Sequence, residues 1–88
     1  MPYLLCRNRV RDFAIWKRVF DSHLQAHLEA DLHLLHLWRT TGDDGEVWFV
    51  FQIDDPDRAR AFVMDPAGAE AGKEAGVVDG NVWFLKGR

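Results

Sequence analysis

Residues 32–53 read LHLLHLWRTTGDDGEVWFVFQI, and this stretch decides the fold. Leu32–Thr40 and Glu46–Ile53 are two apolar arms rich in strand-forming residues. Between them Thr41-Gly42-Asp43-Asp44-Gly45 carries the glycines and aspartates that tolerate positive φ in hairpin loops. In the second arm Val47, Phe49, Phe51 and Ile53 fall on one face and Trp48 and Val50 on the other. In the first, Leu34 and Trp38 oppose Leu35 and Leu37. A hairpin with one wet face alternates apolar and polar residues, and this one does not. Both of its faces call for cover. The loop length leaves the strand register open by one residue, and with it the face that His36 occupies.

Upstream, Tyr3–Val10 reads as a strand with the alternate sets Leu4, Cys6, Asn8, Val10 and Tyr3, Leu5, Arg7, Arg9. Asp12 is a fitting N-cap. From Phe13 to about Leu28 the residues Phe13, Trp16, Phe20, Leu24 and Leu28 form one helical stripe, widened by Ile15 and Val19. Downstream, Asp55-Pro56 and Asp65-Pro66 each put a capping residue before a proline suited to the first helical turn. They predict a helix over Pro56–Met64 burying Ala59, Phe62 and Val63. A weaker helix over Pro66–Ala75 is ended by Gly76. Gly68 and Gly72 each cost that segment about 1 kcal/mol relative to alanine. Val82–Lys86 reads as the last strand.

Strand-helix-strand twice over, with a hairpin between, predicts an α+β chain: a ferredoxin-like βαββαβ subunit with a four-stranded antiparallel sheet. Right-handed crossovers put its helices on one face. The opposite face then presents large apolar side chains, tryptophans among them, on the order of several hundred Å². A second copy covering it in a two-fold homodimer is the expected partner.

The chain has 88 residues, of which 48% are hydrophobic, with four Trp and six Phe, enough for the core of one domain over 1–88. A net charge of −3 with scattered basic residues argues against nucleic acid as partner. No apolar run nears the roughly 20 residues that span a bilayer, so no membrane role is expected. The single cysteine, Cys6, rules out an internal disulfide and suits a reducing cytoplasm. No basic-then-apolar leader precedes the first strand, which also fits a cytoplasmic protein.

The opening strand, the helix text DFAIWKRVFDSH (Asp12–His23), the hairpin, the strand exit QIDDPD (Gln52–Asp57) and the late AGVV and VWFL resemble a known group. They are similar to the dimeric α/β-barrel superfamily, and within it to the small antibiotic-biosynthesis-monooxygenase-like proteins. The resemblance implies a dimeric barrel with a pocket in each subunit between helices and sheet, where members with known ligands bind flat aromatic or polyketide-like molecules; for this chain it implies a hydrophobic, aromatic ligand. It implies no tightly bound cofactor, the substrate supplying the electrons of an oxygenase reaction. The haem-degrading branch uses an asparagine late in the first strand, which Asn8 matches. It also uses a tryptophan and a second-helix histidine. Pro56–Ala75 contains neither, so haem degradation is rejected.

Candidate chemistry centres on the four histidines between residues 23 and 36. His36, mid-strand among leucines, suits a general base near neutral pH, and His23 closes the recognisable helix text. Both are candidate catalytic residues. His23 and His27 lie one turn apart and could share a metal, but no third ligand is fixed by the sequence, so no metal is expected. Asn8, Trp16, Trp38, Arg39, Trp48 and Trp83 are the candidate substrate-binding residues. Cys6, among apolar neighbours, reads as inert. There is no nucleophilic triad, phosphate loop or nucleotide fingerprint. A non-catalytic dimeric binding protein is the alternative to an enzyme.

Overall fold

A computed structural model describes residues 1–88. Strand β1 (Pro2–Val10) is followed by helices α1 (Phe13–Ser22) and α2 (Leu24–Glu29). The hairpin β2 (Leu32–Thr40) and β3 (Asp43–Ile53) comes next, then α3 (Pro56–Met64), α4 (Pro66–Glu74) and β4 (Val77–Lys86). The sheet order is β2-β3-β1-β4, antiparallel throughout. This is the expected ferredoxin-like arrangement, with each helical crossover divided in two.

The core lies between helices and sheet. Leu4, Cys6 and Val10 of β1 and Val47, Phe49, Phe51 and Ile53 of β3 point into it and are buried. Trp16 and Ala59 meet them from α1 and α3. Phe62 and Val63 pack alongside, half-buried. Asp12 caps α1 by accepting from the amides of Ala14 and Ile15, and Asp55 caps α3 by accepting from Asp57 and Arg58. Asp65 does the same for α4 through Ala67, and Gly76 ends that segment at φ 78°.

Three departures from the sequence reading have local causes. The expected helix over Phe13–Leu28 breaks at His23. There the Ser22 hydroxyl and the His23 ring both bond to the Val19 carbonyl, at 2.6 and 2.8 Å, in competition with the backbone. The break shifts the helical phase, so Leu24 and Leu28 face outward and His27 takes the buried position. The hairpin turn is Thr41-Gly42, with Gly42 at φ 83° and Thr40 paired to Asp43. The rest of the expected five-residue loop becomes an irregular start to β3. Finally, β4 begins at Val77, five residues ahead of the expected Val82, because Val77–Asn81 pairs along the second half of β1.

Candidate functional site

The helix layer is uneven, and this makes the site. On one side α1 lays Trp16 and Phe20 against Phe49, with ring centroids 5.5 and 5.2 Å away. On the other, α4 turns Ala67, Gly68, Ala71, Gly72 and Ala75 inward. Side chains this small leave part of the space above the sheet unfilled. A cavity of about 460 Å³ remains, within the range that holds a small-molecule ligand. Its floor is Leu4, Cys6, Phe49, Phe51 and Val82, and α1, α2 and α3 supply Trp16, Phe20, His23, His27, Phe62 and Val63.

Its polar lining is sparse. The orientation of the Asn8 side-chain amide is assigned from its neighbours: with Oδ1 turned to Trp16 Nε1 it accepts at 3.1 Å, and Nδ2 then donates to the Arg7 carbonyl at 2.9 Å, whereas the reverse orientation satisfies neither atom. Gly80 stands opposite Asn8, where a Cβ would come within 2.9 Å of that amide. His23 donates Nδ1–H to Val19 O, which leaves Nε2 with its lone pair. Asp65 is occupied in capping α4. Burial pushes the Cys6 thiol up to about 12, so it stays protonated. No lysine or arginine lines the cavity.

His27 is the exception to this satisfaction. It is 8% exposed and ringed by Phe20, Phe51 and Phe62 at 5.1, 5.2 and 5.6 Å between ring centroids. Its Nδ1 is buried without a hydrogen-bond partner. Burial, and secondarily the neighbouring His23, hold its pKa below the ordinary histidine value. The ring is therefore a neutral imidazole at neutral pH.

The candidate residues from the sequence divide between the two faces of the sheet. Asn8, Trp16 and His23 line the cavity together. His36, Trp38, Trp48 and Trp83 do not. A bulge at Leu35 lets Leu34 pair with Phe51 and His36 with Val50, which turns His36 to the face away from the helices. There it stacks on Trp38, with ring centroids 5.0 Å apart, and Trp48 stacks on Trp83 at 6.0 Å. Arg39 is on the helix side but beyond the cavity, its guanidinium 4.0 Å above the Phe13 ring. His27 and the small residues of α4 were not among the candidates. The glycine-alanine run over 66–75 was a visible signal for the latter; the inward turn of His27 depends on the break at His23.

The open sheet face is apolar over one half and braced over the other. Leu5, Val50, Trp38, Trp48, Trp83 and Leu85 share it, with Trp38 49% and Trp83 41% exposed. Toward the end of β1, Glu46 accepts from Thr40 Oγ1 and Arg7 Nε, both at 2.6 Å. Those two bonds hold its carboxyl below the usual range. Arg7 also donates to Asn81 at 2.9 Å, and Trp48 Nε1 to Thr40 at 2.9 Å. On the surface Asp31, His33 and Asp54 converge within 4.8 Å, but Arg58 already pairs with Asp31, and His33 bonds to Asp54.

The helix layer on a four-stranded antiparallel sheet is shared with solved structures. An antibiotic biosynthesis monooxygenase-like protein from Bordetella bronchiseptica superposes with a TM-score of 0.80 at 13% identity, covering 99% of this chain and 96% of that one. A similarly described protein from Deinococcus radiodurans gives 0.74 at 13%, covering 100% and 93%. A NIPSNAP family protein of unknown function from Agrobacterium tumefaciens gives 0.72 at 12%, covering 99% and 87%. The chain has the fold of the antibiotic biosynthesis monooxygenase-like proteins. At these identities the likeness is one of fold, and it spans nearly the full length of each partner. No family model matches the sequence, and no curated protein is significantly similar to it. No helix is long and apolar enough to cross a membrane.

Proposed function

We propose that the chain works as a homodimer, each subunit binding one hydrophobic, planar small molecule in the cavity between its helices and its sheet. The observation that carries this reading is the coexistence of an apolar cavity of about 460 Å³ with an uncovered apolar sheet face on the other side. One explains what is bound, the other how the subunit hides its remaining apolar surface. Four strands about 4.8 Å apart and about eight residues long give a footprint of about 500 Å² before corrugation. That is of the order of the roughly 800 Å² of accessible surface each partner gives to a stable interface. His36, Trp38, Trp48 and Trp83 then serve the interface, Trp16, His23 and His27 face the ligand, and Asn8 on the same wall holds the Trp16 indole.

A catalytic reading is favoured by the two histidines on the cavity wall. In that case the protein is a cofactor-independent, monooxygenase-like enzyme whose substrate supplies the electrons that reduce the second oxygen atom of O₂ to water. The absence of any arginine or lysine from the lining weighs toward plain ligand binding, since no cation is there to stabilise a developing anion.

Two measurements test the proposal. Sedimentation at micromolar concentration should give twice the 10.2 kDa chain mass; a 10.2 kDa species alone would refute the dimer. Ala71→Leu should narrow the cavity without disturbing the sheet, and so weaken the binding of planar aromatics followed by quenching of tryptophan fluorescence. Unchanged quenching in that variant would refute the cavity as the site. Oxygen uptake with electron-rich aromatics separates the catalytic reading from the binding one.

A further inference from the structure

We infer that His27 determines which ligands the cavity accepts: uncharged planar molecules that carry a hydrogen-bonding oxygen, in preference to plain hydrocarbons and to acids. The inference rests on the reading of the cavity as a ligand site. Its own grounds are separate.

The His27 ring is more than nine-tenths buried, lines the cavity, and lacks a protein partner for Nδ1. No hydrogen bond of any kind ties the ring to the rest of the chain. Phe20, Phe51 and Phe62 surround it and have nothing to offer a ring nitrogen. Nδ1 itself is too enclosed for a water to touch; Nε2, equally unbonded, is the nitrogen a molecule in the cavity can meet, and a polar group left unpaired costs free energy that such a bond would return. A neutral imidazole has one N–H and one lone pair, and a hydroxyl group can answer either.

The other polar groups on the wall are less available. Asn8 is used by Trp16 and Arg7, His23 is tied through Nδ1 to Val19, and Asp65 caps α4. His23 Nε2 is unbonded as well, but it sits at a less buried place; His27 is the most enclosed of the vacant polar positions on an otherwise apolar wall, and the aromatic rings beside it favour a flat partner. Charge narrows the choice further. With no lysine or arginine on the wall and Asp65 at its edge, a carboxylate or phosphate would enter without a counter-ion.

Three probes of one shape test this: naphthalene, 1-naphthol and 1-naphthoate, titrated by quenching of the intrinsic tryptophan fluorescence. One hydrogen bond to a buried, otherwise unpartnered group predicts that 1-naphthol binds about tenfold more tightly than naphthalene. It also predicts that 1-naphthoate binds more weakly than 1-naphthol. In His27→Phe, which keeps a ring in the aromatic cluster, the preference for 1-naphthol over naphthalene should vanish while naphthalene binding persists. A direct signature needs no variant: the imidazole ¹⁵N resonances of His27 should shift with 1-naphthol and stay in place with naphthalene. Equal affinity for naphthalene and 1-naphthol, a preference retained in His27→Phe, or unmoved His27 resonances would each overturn the inference while leaving the cavity as a ligand site. Naphthoate binding as tight as naphthol would overturn the charge selection. If no probe binds even to the unaltered protein, the cavity reading itself fails, and the inference with it.

Discussion

Replacing Asn8 with alanine tests whether its amide is part of the scaffold or free for a ligand. Asn8 Oδ1 is the acceptor for the indole N–H of Trp16, at 3.1 Å, and Trp16 is 2% exposed. Removing the acceptor strands a nearly buried donor, which costs about 1–3 kcal/mol. The adjoining cavity can admit a water to that donor, so the expected loss lies at the lower end, about 1–2 kcal/mol. For a domain of this size that lowers Tm by about 4–16 °C. The decisive assay is a double-mutant cycle by urea unfolding, at one protein concentration so that any dimer linkage is constant. In the Trp16→Phe background the donor is already gone, and Asn8→Ala should cost about 0.5–1.5 kcal/mol less than in the unaltered chain. A coupling indistinguishable from zero would refute the reasoning and leave Asn8 free to contact a ligand directly.

Gly80→Ala should destabilise by about 1–3 kcal/mol through overpacking. Its Cβ would sit 2.9 Å from the Asn8 amide and 3.2 Å from the Arg7 carbonyl, and unfolding curves identical to those of the parent would exclude that clash. Because burial keeps the folded-state pKa of His27 below 6.5, the unfolded chain takes up a proton first as pH falls. Its contribution to stability is then complete above 6.5 and is lost as pH drops from there toward the folded-state value. His27→Phe should flatten the pH dependence of urea unfolding in that window, and parallel profiles would contradict this. Asp55→Ala removes the acceptor for the amides of Asp57 and Arg58 and should cost about 1 kcal/mol by thermal unfolding. No loss would mean that Pro56 alone sets the start of α3.

How far the sequence could be read follows from the range of each interaction. The strand alternation of 47–53, the Asp-Pro caps at 55–56 and 65–66, and the stripe of Phe13, Trp16 and Phe20 are local signals, and each appears as an element where expected. The face of His36 was not legible. One extra residue at Leu35 reverses every side chain beyond it, and the pairing of β2 with β3 selects that bulge. Likewise Leu24 and Leu28 continue a perfect helical stripe, yet two side chains competing for the Val19 carbonyl end the helix before it reaches them.

The residue pattern by itself determined the element order, the antiparallel sheet and the need to cover both of its faces, because hydrophobic periodicity and capping act within a few residues of the chain. The tertiary structure alone decided which tryptophans share the open face, that the alanines and glycines of α4 leave a cavity, and that an unbonded His27 borders it. Those outcomes depend on bulges, helix breaks and unequal side-chain volumes meeting across the core, between residues far apart in the chain.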